Sequence, residues 1–421
     1  MHKGTGIATY ARNLNSSLRA LGNETHILYG PRSGLGRVAL LNEVALVDAY
    51  SYKSGYATPE KIRRLRQSLT MPFGRAPKRL VRSGEVDTRQ VEHNVPLCDA
   101  LWASTDIFEG ANRSFTAHGG FTPVRFRGEA AHKPDIMHWT APLPMQAPGL
   151  ANLYTIHDLV PLKFPFASLD NKRRFHEMCR RLCDTAERIV TVSEHSKQDI
   201  MRIYGLKEDR IAVTYQAVEV PASMLDEPED EVARTVEGLL GLEWRSYFIF
   251  FGAVEPKKNL PRIIEAYLSS GVNAPLIIVG GRAWLEEDET RLLKTIQESP
   301  KGQLIRRYDY LPFRLLVSLI RGAKATMLPS LYEGFGLPVL ESMLLRTPVL
   351  TSTAGSLPEV AGDAALMVDP YDTLAMRRAM IALDSDADLR AELIERGVRQ
   401  AQKFGPEPYR ARLAELYRQA A

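Results

Sequence analysis

Cysteine is scarce in this chain: three in 421 residues, an odd number. That excludes a disulfide-stapled scaffold and fits a reducing compartment. Long apolar runs are missing as well. None approaches the ~18–20 residues a spanning helix needs, and Met1-His2-Lys3 has no apolar signal region behind it. A cytoplasmic protein is expected, with peripheral contact at the inner face of the cytoplasmic membrane left open. Excess charge of one sign is also lacking. A net charge of +4 is too small to point to nucleic acid. With 45% hydrophobic and 25% charged residues, wholesale disorder is excluded. The length suits two or three domains.

What is present is an alternation of short apolar runs with longer helical stretches, the pattern of α/β folds with parallel sheets. In the first half, 25–29, 136–139, 153–156, 188–192 and 211–215 read as strands, and 10–21 and 171–186 as helices. Residues 219–237, "EVPASMLDEPEDEVARTVE", are acidic with two prolines and read as a linker. A second series follows, with strands at 247–251, 276–279, 325–328 and 348–351 and helices over 260–268 and 373–403. The expected organisation is an N-terminal Rossmann-like domain over 1–220, a linker over 221–245 and a C-terminal Rossmann-like domain over 246–421. The last helix is expected to pack back on the first domain. Ligands of such sheets bind beyond the carboxyl ends of the strands, here in the cleft between the domains.

Two stretches fit this frame poorly. Residues 32–130 have weak periodicity and read as an insertion. Within them, 57–91 hold nine Lys/Arg against three acids. "KIRRLRQSL" is either a solvated basic insertion or a helix that meets anionic lipid. At the start, Gly4-Thr5-Gly6-Ile7 reads as a glycine turn entering a helix. Such a turn ordinarily follows a strand, and only three residues precede it. The N-terminal domain is therefore expected to lack its first strand.

The stretch "LYEGFGLPVLES" places Glu333 and Glu341 on either side of Gly334-Phe335-Gly336-Leu337-Pro338. The glycine turn allows close backbone approach. A helix beginning near Pro338 adds free N–H groups and a positive dipole end, with Glu341 expected on its first turn. Together they suit an oxygen-rich, negatively charged ligand; the other reading is a plain strand–helix turn. "FFGAVEPKKNL" puts Lys257 and Lys258 in the loop after a strand, where an ammonium group can neutralise a diphosphate. "YTIHDLVPL" puts His157 and Asp158 at another strand's carboxyl end. Each of these also has a structural reading, as solvated lysines or a satisfied histidine.

Taken together and in this order, the motifs resemble the family 4 (group 1) retaining glycosyltransferases of the GT-B fold, mannosyltransferase-like members above all. The resemblance rests on "PSLYEGFGLPVLESMLLRTPVLTS" (329–352), "AGSLPEVAGDAALMVDPYD" (354–372), "IHDLVPL" and "RIVTVSEHSKQDI". It implies that Glu333 faces the donor sugar and that Glu341 accepts from ribose hydroxyls. The amides of Gly334, Phe335, Gly336 and Leu337 would hold sugar and phosphate. Lys258 would bridge the diphosphate, with Gly4 and Gly6 facing it, His157 near the donor sugar and Ser193 at a helix cap beside the cleft. Where many relatives carry Arg after the glycine of "FFG", this chain has Ala253, and Lys257 is the candidate replacement.

The resemblance further implies hexose transfer, with retention, from a nucleotide-diphosphate sugar to a glycan or lipid-linked acceptor in surface polysaccharide synthesis. GDP-mannose is the first choice of donor and a UDP-sugar the second. A GT-B epimerase or phosphorylase, or a non-catalytic nucleotide-sugar-binding relative, are the alternatives. No cofactor and no metal are expected. "DSDAD" (384–388) reads as a turn and helix cap. His176, Cys179 and Cys183, at i, i+3 and i+7, read as one packed helix face rather than a zinc site.

Overall fold

The computed structural model describes residues 6–31, 36, 38–47, 60–81, 85–86, 97–127, 133–281 and 301–420. Gly4 lies outside them. The C-terminal half is built on a six-stranded parallel sheet. Its order is β12 (Ile305–Tyr308), β11 (Leu276–Val279), β10 (Phe248–Phe251), β13 (Ala325–Leu328), β14 (Val349–Ser352) and β15 (Leu366–Val368). β10, β11, β13 and β14 are buried along their whole length. Unbroken apolar runs such as "FIFF" and "LIIV" suit strands covered on both faces by crossover helices. Sequence order runs outward in both directions from β10 and β13, so the topological switch point lies between these two strands. The loops that leave their carboxyl ends border the crevice where ligands of such sheets bind.

The N-terminal half holds a four-stranded parallel sheet in the order β5 (Ile136–Trp139), β7 (Ala151–Thr155), β8 (Arg188–Thr191), β9 (Ile211–Val213). Beside it is a three-stranded sheet in the order β1 (His26–Tyr29), β3 (Ala100–Ala103), β2 (Lys78–Leu80), and a short pair of β4 (Thr122–Pro123) with β6 (Met145–Gln146). The region expected to be an insertion therefore contributes to the fold. β3 is fully buried and runs parallel to β1. "ALWA" is too short for its periodicity to show in the sequence.

The acidic stretch expected to be a linker carries two helices, Ala222–Leu225 and Glu229–Leu240. Glu229, Asp230 and Glu231 occupy the first turn of the second, where they complement the helix dipole. Its Val232 and Val236 are buried with Tyr247 and Ile249. The final helix, Pro406–Ala420, returns to the first helix, Gly6–Ala20. Its Tyr417 hydroxyl lies 2.8 Å from His138 Nδ1 on β5. Asp386, within "DSDAD", caps the helix Ala387–Gln402 by accepting from Leu389 N at 2.8 Å. Cys179 and Cys183 are buried free thiols of the N-terminal core, and the His176 ring stacks on Tyr204. Among the described residues, no helix is long and apolar enough to cross a membrane.

Candidate active site

The loop after β10 is shaped by backbone. Gly252 sits at φ +124°, and a Cβ on Gly280 would lie 1.8 Å from the Gly252 carbonyl oxygen. Adjacent strand ends thus approach more closely than any side chain allows. The loop then turns through the 3-10 segment Pro256–Lys258 and ends at Asn259, in the left-handed region at φ 64°. The Asn259 amide donates to the carbonyls of Pro329 at 3.0 Å and Pro370 at 2.7 Å. Leu331 N donates to Lys257 O at 2.7 Å. These bonds stitch the lysine loop to the loop after β13, across the switch point, and to the loop after β15.

Between the two loops lies Glu333, 5% exposed. Its Oε1 accepts from Lys258 Nζ at 2.6 Å and from Ser330 Oγ at 2.8 Å. Lys257 Nζ stands 3.7 Å from Oε2. Burial pushes the Glu333 carboxyl pKa up, but Lys258, Lys257 and Ser330 outweigh it, and the net shift is downward. Burial likewise opposes the charge on Lys257, and Glu333, Asp158 and Glu255 outweigh it, so its pKa is raised. Glu333 and Lys257 are therefore both charged near neutrality. Glu255 Oε2 also lies 3.9 Å from Lys257 Nζ, so the two ammonium groups of this loop are held among more than one carboxylate.

The next residues form the expected turn. Gly336 takes φ +108° and precedes the helix Leu337–Leu344. A Cβ on Gly334 would meet Asp158 Oδ2 at 2.8 Å and His157 O at 2.9 Å, so the two halves of the chain touch here. One expectation is corrected: Glu341 is the fifth residue of this helix, not in its first turn. It gains little from the dipole, which fades after the first turn. Burial raises its pKa to about 7, against a smaller opposing pull from Lys258. Lys258 therefore acts on both carboxylates of the motif.

From the N-terminal half, His157 follows β7. A carbonyl only accepts, so the 2.9 Å contact with Thr140 O places the proton on His157 Nε2. Burial lowers the His157 pKa, although Thr140 and Asp158 oppose it. The neutral ring keeps Nδ1 as an acceptor, and the Tyr10 ring meets it edge-on at 4.8 Å. Gly6 is exposed and opens the helix Gly6–Ala20. Ser193 is fully buried and caps the helix Glu194–Tyr204 by accepting from Ser196 N at 3.0 Å. Its place is that of a cap; no contact ties it to the lysine–glutamate group. A shallow depression lined by Gly241, Ser246, Lys324 and Asp384 lies at the amino ends of the C-terminal strands, the edge away from these residues.

Several groups around the site escape a sequence reading. Tyr332 OH donates to Asp199 Oδ2 at 2.8 Å, and Asp199 also receives Lys163 at 2.6 Å and Arg202 at 2.6 Å. The Glu359 carboxylate accepts from the backbone N of Glu194 at 2.9 Å and of His195 at 3.3 Å. It closes the N-terminus of one half's helix from the other half. Ser330, three residues before Glu333, and Tyr332, immediately before it, sat close enough in sequence to be suspected.

With this geometry in view, comparison with known proteins is direct. The model for Glycosyl transferases group 1 matches residues 242–400, and that for Glycosyltransferase Family 4 matches residues 113–220. The O-antigen chain mannosyltransferase B of Escherichia coli is 33% identical over 261 residues, 60% of this chain and 66% of the relative. The serotype-specific mannosyltransferase WbdA of Escherichia coli is 26% identical over 272 residues, 63% of this chain. The match spans about two thirds of the first relative's length and 33% of WbdA's. Among solved structures, the sucrose-phosphate synthase of Thermosynechococcus elongatus superposes with a TM-score of 0.61 at 17% identity, covering 99% of this chain and 94% of that one. WaaG, a glycosyltransferase involved in lipopolysaccharide biosynthesis, gives 0.58 at 12% identity, covering 97% and 96%. Anabaena HepE, solved with UDP and glucose, gives 0.61 at 16% identity, covering 87% and 97%. The six-stranded parallel sheet, the loops at its switch point and these matches together make the chain a member of the group 1, family 4 glycosyltransferases, mannosyltransferase-like and of the GT-B fold.

Proposed function

We propose that this protein transfers a hexose, mannose as the first candidate, from a nucleotide-diphosphate sugar to a glycan or lipid-linked glycan in surface polysaccharide synthesis, with retention at the anomeric carbon. The observation that carries the reading is the buried Lys257–Lys258–Glu333 group at the switch point, with Glu341 beside it. We assign residues 246–421 to the donor and 1–220 to the acceptor, with 221–245 between them.

In this reading, Lys258 and Lys257 hold the diphosphate and stabilise the charge that grows as it departs. Lys257 supplies the second cation that Ala253 cannot. Glu341 accepts from ribose hydroxyls. The amides of Gly334 to Leu337 receive sugar and phosphate oxygens, and Gly4 and Gly6 face the phosphates. Neutral His157 accepts from a sugar hydroxyl at Nδ1. Glu333, held by two lysines and Ser330, positions the sugar rather than attacking it. The acceptor oxygen then bonds to the anomeric carbon on the face the diphosphate leaves. The departing phosphate oxygen takes the acceptor's proton, and the glycosyl centre passes through an oxocarbenium-like state.

The test is thermal stabilisation by GDP, UDP and ADP, followed by turnover of the matching sugar nucleotide. A ligand at 100 times its dissociation constant adds about 2.7 kcal/mol to the folded state. A shift by GDP, lost in Glu341→Ala, with nucleotide release that needs an acceptor, supports the reading. A shift by UDP replaces the donor and keeps the reaction class. Nucleotide release without any acceptor counts against transfer.

A further inference from the structure

The helix Glu194–Tyr204 of the N-terminal half is touched from both sides of the site. Ser196 Oγ donates to His157 O at 3.0 Å and stands 3.5 Å from Gly334 O. Asp199, a turn further on, accepts from Tyr332 at 2.8 Å. The His157 loop and the Glu333 turn are thus both set by where this helix lies. A third contact reaches it from beyond the turn. Gly355 packs backbone to backbone on Glu333: a Cβ there would meet Glu333 O at 2.8 Å and Glu333 N at 2.9 Å. Ser356 is fully buried, and its hydroxyl donates to Phe335 O at 2.7 Å, with Glu333 O at 3.0 Å. Three residues later, the half-buried Glu359 carboxylate spans to the amides of Glu194 and His195. Residues 355–359 form a short strut from the backbone of Glu333 to the start of the helix. The helix does not need the strut in order to begin, because Ser193 already caps it. Tyr215 meets the Phe335 ring at 6.2 Å, turns its hydroxyl to the Glu359 carboxylate and sits in the left-handed region at φ 60°. A non-glycine residue stays there only where its surroundings over-determine it.

We propose that Glu359 is a positioning residue: by holding the amides at the start of this helix, it fixes the Glu333 turn against His157 and the acceptor half. One carboxylate suits these two partners. The first N–H groups of a helix have no intrahelical acceptor, and the dipole favours a negative charge beside them. Without Glu359, water satisfies both amides and the helix survives. What is lost is the register between the Glu333 turn and His157. The donor contacts assigned to Lys257, Lys258 and Glu341 lie within the C-terminal half and do not depend on the strut. Turnover should therefore suffer where nucleotide binding does not. The effect on turnover rests on the transfer reaction proposed above; the effect on the turn does not.

Two measurements on Glu359→Ala test this, both on the full chain. In amide hydrogen exchange, residues 194–199 and 333–336 should exchange about tenfold faster, while β10 and β11 keep their protection. In kinetics, kcat should fall about tenfold or more, while the dissociation constants of GDP and UDP, measured by titration, stay within about twofold. Glu359→Gln, which keeps an oxygen for the two amides, should recover most of the lost turnover. Unchanged exchange at 333–336, unchanged kcat, nucleotide affinity that falls as far as kcat, or no recovery by Glu359→Gln would overturn the proposal. A wild-type chain that binds neither GDP nor UDP and turns over no sugar nucleotide would refute the transfer reading alone, and the exchange comparison would still decide whether Glu359 sets the turn.

Discussion

Tyr332 and Asp199 are joined by a 2.8 Å hydrogen bond between residues 133 apart in sequence. One stands immediately before Glu333; the other lies in the helix Glu194–Tyr204 of the opposite half. The Tyr332 ring also receives Lys163 Nζ at 4.7 Å from its centre, and Lys163 pairs with the same carboxylate. The Glu333 loop is therefore anchored to the N-terminal half at its root. Tyr332→Phe keeps the ring and removes the bond. It should lower stability by about 1 kcal/mol and reduce turnover more than donor affinity, because Glu333 loses its register against the other half. Asp199→Ala strands the Lys163 charge and the Tyr332 hydroxyl together and should cost roughly 3 kcal/mol. Denaturant melts and steady-state kinetics on the two variants check this; equal stability of both would refute it.

The Glu333 carboxylate supplies a second prediction. Its pKa is lowered in the folded state, since Lys258, Lys257 and Ser330 outweigh the effect of burial. A depressed carboxyl contributes stability above its unfolded pKa, and that contribution is lost as pH falls through the folded value. Glu333→Gln should therefore destabilise the protein by about 2–4 kcal/mol at pH 7, with the difference shrinking below about pH 4. Lys258→Met should cost less when combined with Glu333→Gln than alone, because the two groups are in contact. A double-mutant cycle by urea denaturation measures that coupling, and strict additivity would contradict it.

These relationships divide into what the sequence carries and what it hides. β10 and β11 were legible because each is an unbroken apolar run ahead of a glycine, and β13 and β14 because each is a short apolar-rich run with a β-branched residue beside proline. Lys258 and Glu333 were legible as loop residues at the carboxyl ends of two such strands. Their contact was not, because it depends on β10 and β13 being neighbours, which is a property of topology. Tyr332 and Asp199 show the same limit over a longer span. The helix Glu229–Leu240 was misread for a local reason. Two prolines suggested a linker, yet Pro228 stands at the cap and three acids follow in the first turn, which is a helix-start signal. Glu341 was placed one turn too early because the start of a short helix after Gly-x-Gly is ambiguous by a few residues.

Glu341 gives the sharpest pH signature. Burial raises its pKa to about 7, above the 4.5 of an unperturbed glutamate. The native state thus holds a proton between about pH 4.5 and 7 that the unfolded chain has released. Stability from this group is complete below about 4.5, falls as pH rises to about 7, and changes no further above it. Glu341→Gln should raise the melting temperature at pH 8 and have no effect at pH 4. Nucleotide affinity should move the other way in the native protein, rising as pH passes through about 7, because only the carboxylate accepts two ribose hydroxyls. Isothermal titration from pH 5.5 to 8.5 tests this, and a flat profile would remove Glu341 from nucleotide binding.

His138 ties acid stability to the last helix. Its Nε2 lies 2.8 Å from Thr155 Oγ1 and its Nδ1 2.8 Å from the Tyr417 hydroxyl. Thr155 also meets Tyr10, whose ring packs on His157. Burial, with the neighbouring His157 as a smaller influence, lowers the His138 pKa to about 3. A histidine held neutral in the fold contributes stability above its unfolded pKa of 6.5, and that stability drains away between pH 6.5 and 3 as the unfolded chain takes up a proton. Each such group adds a slope of about 1.4 kcal/mol per pH unit across most of that window. His138→Gln should therefore flatten the acid limb of the stability curve by about that amount, leaving the His157 contribution in place. The Gln side chain still offers a donor and an acceptor to Thr155 and Tyr417, so the variant isolates the titration from the packing. Urea melts at half-unit steps from pH 4.5 to 7.5 make the comparison. An unchanged slope would mean that His138 is already protonated in the fold, and the Tyr10–Thr155–His138–Tyr417 chain would then have to be a charged one.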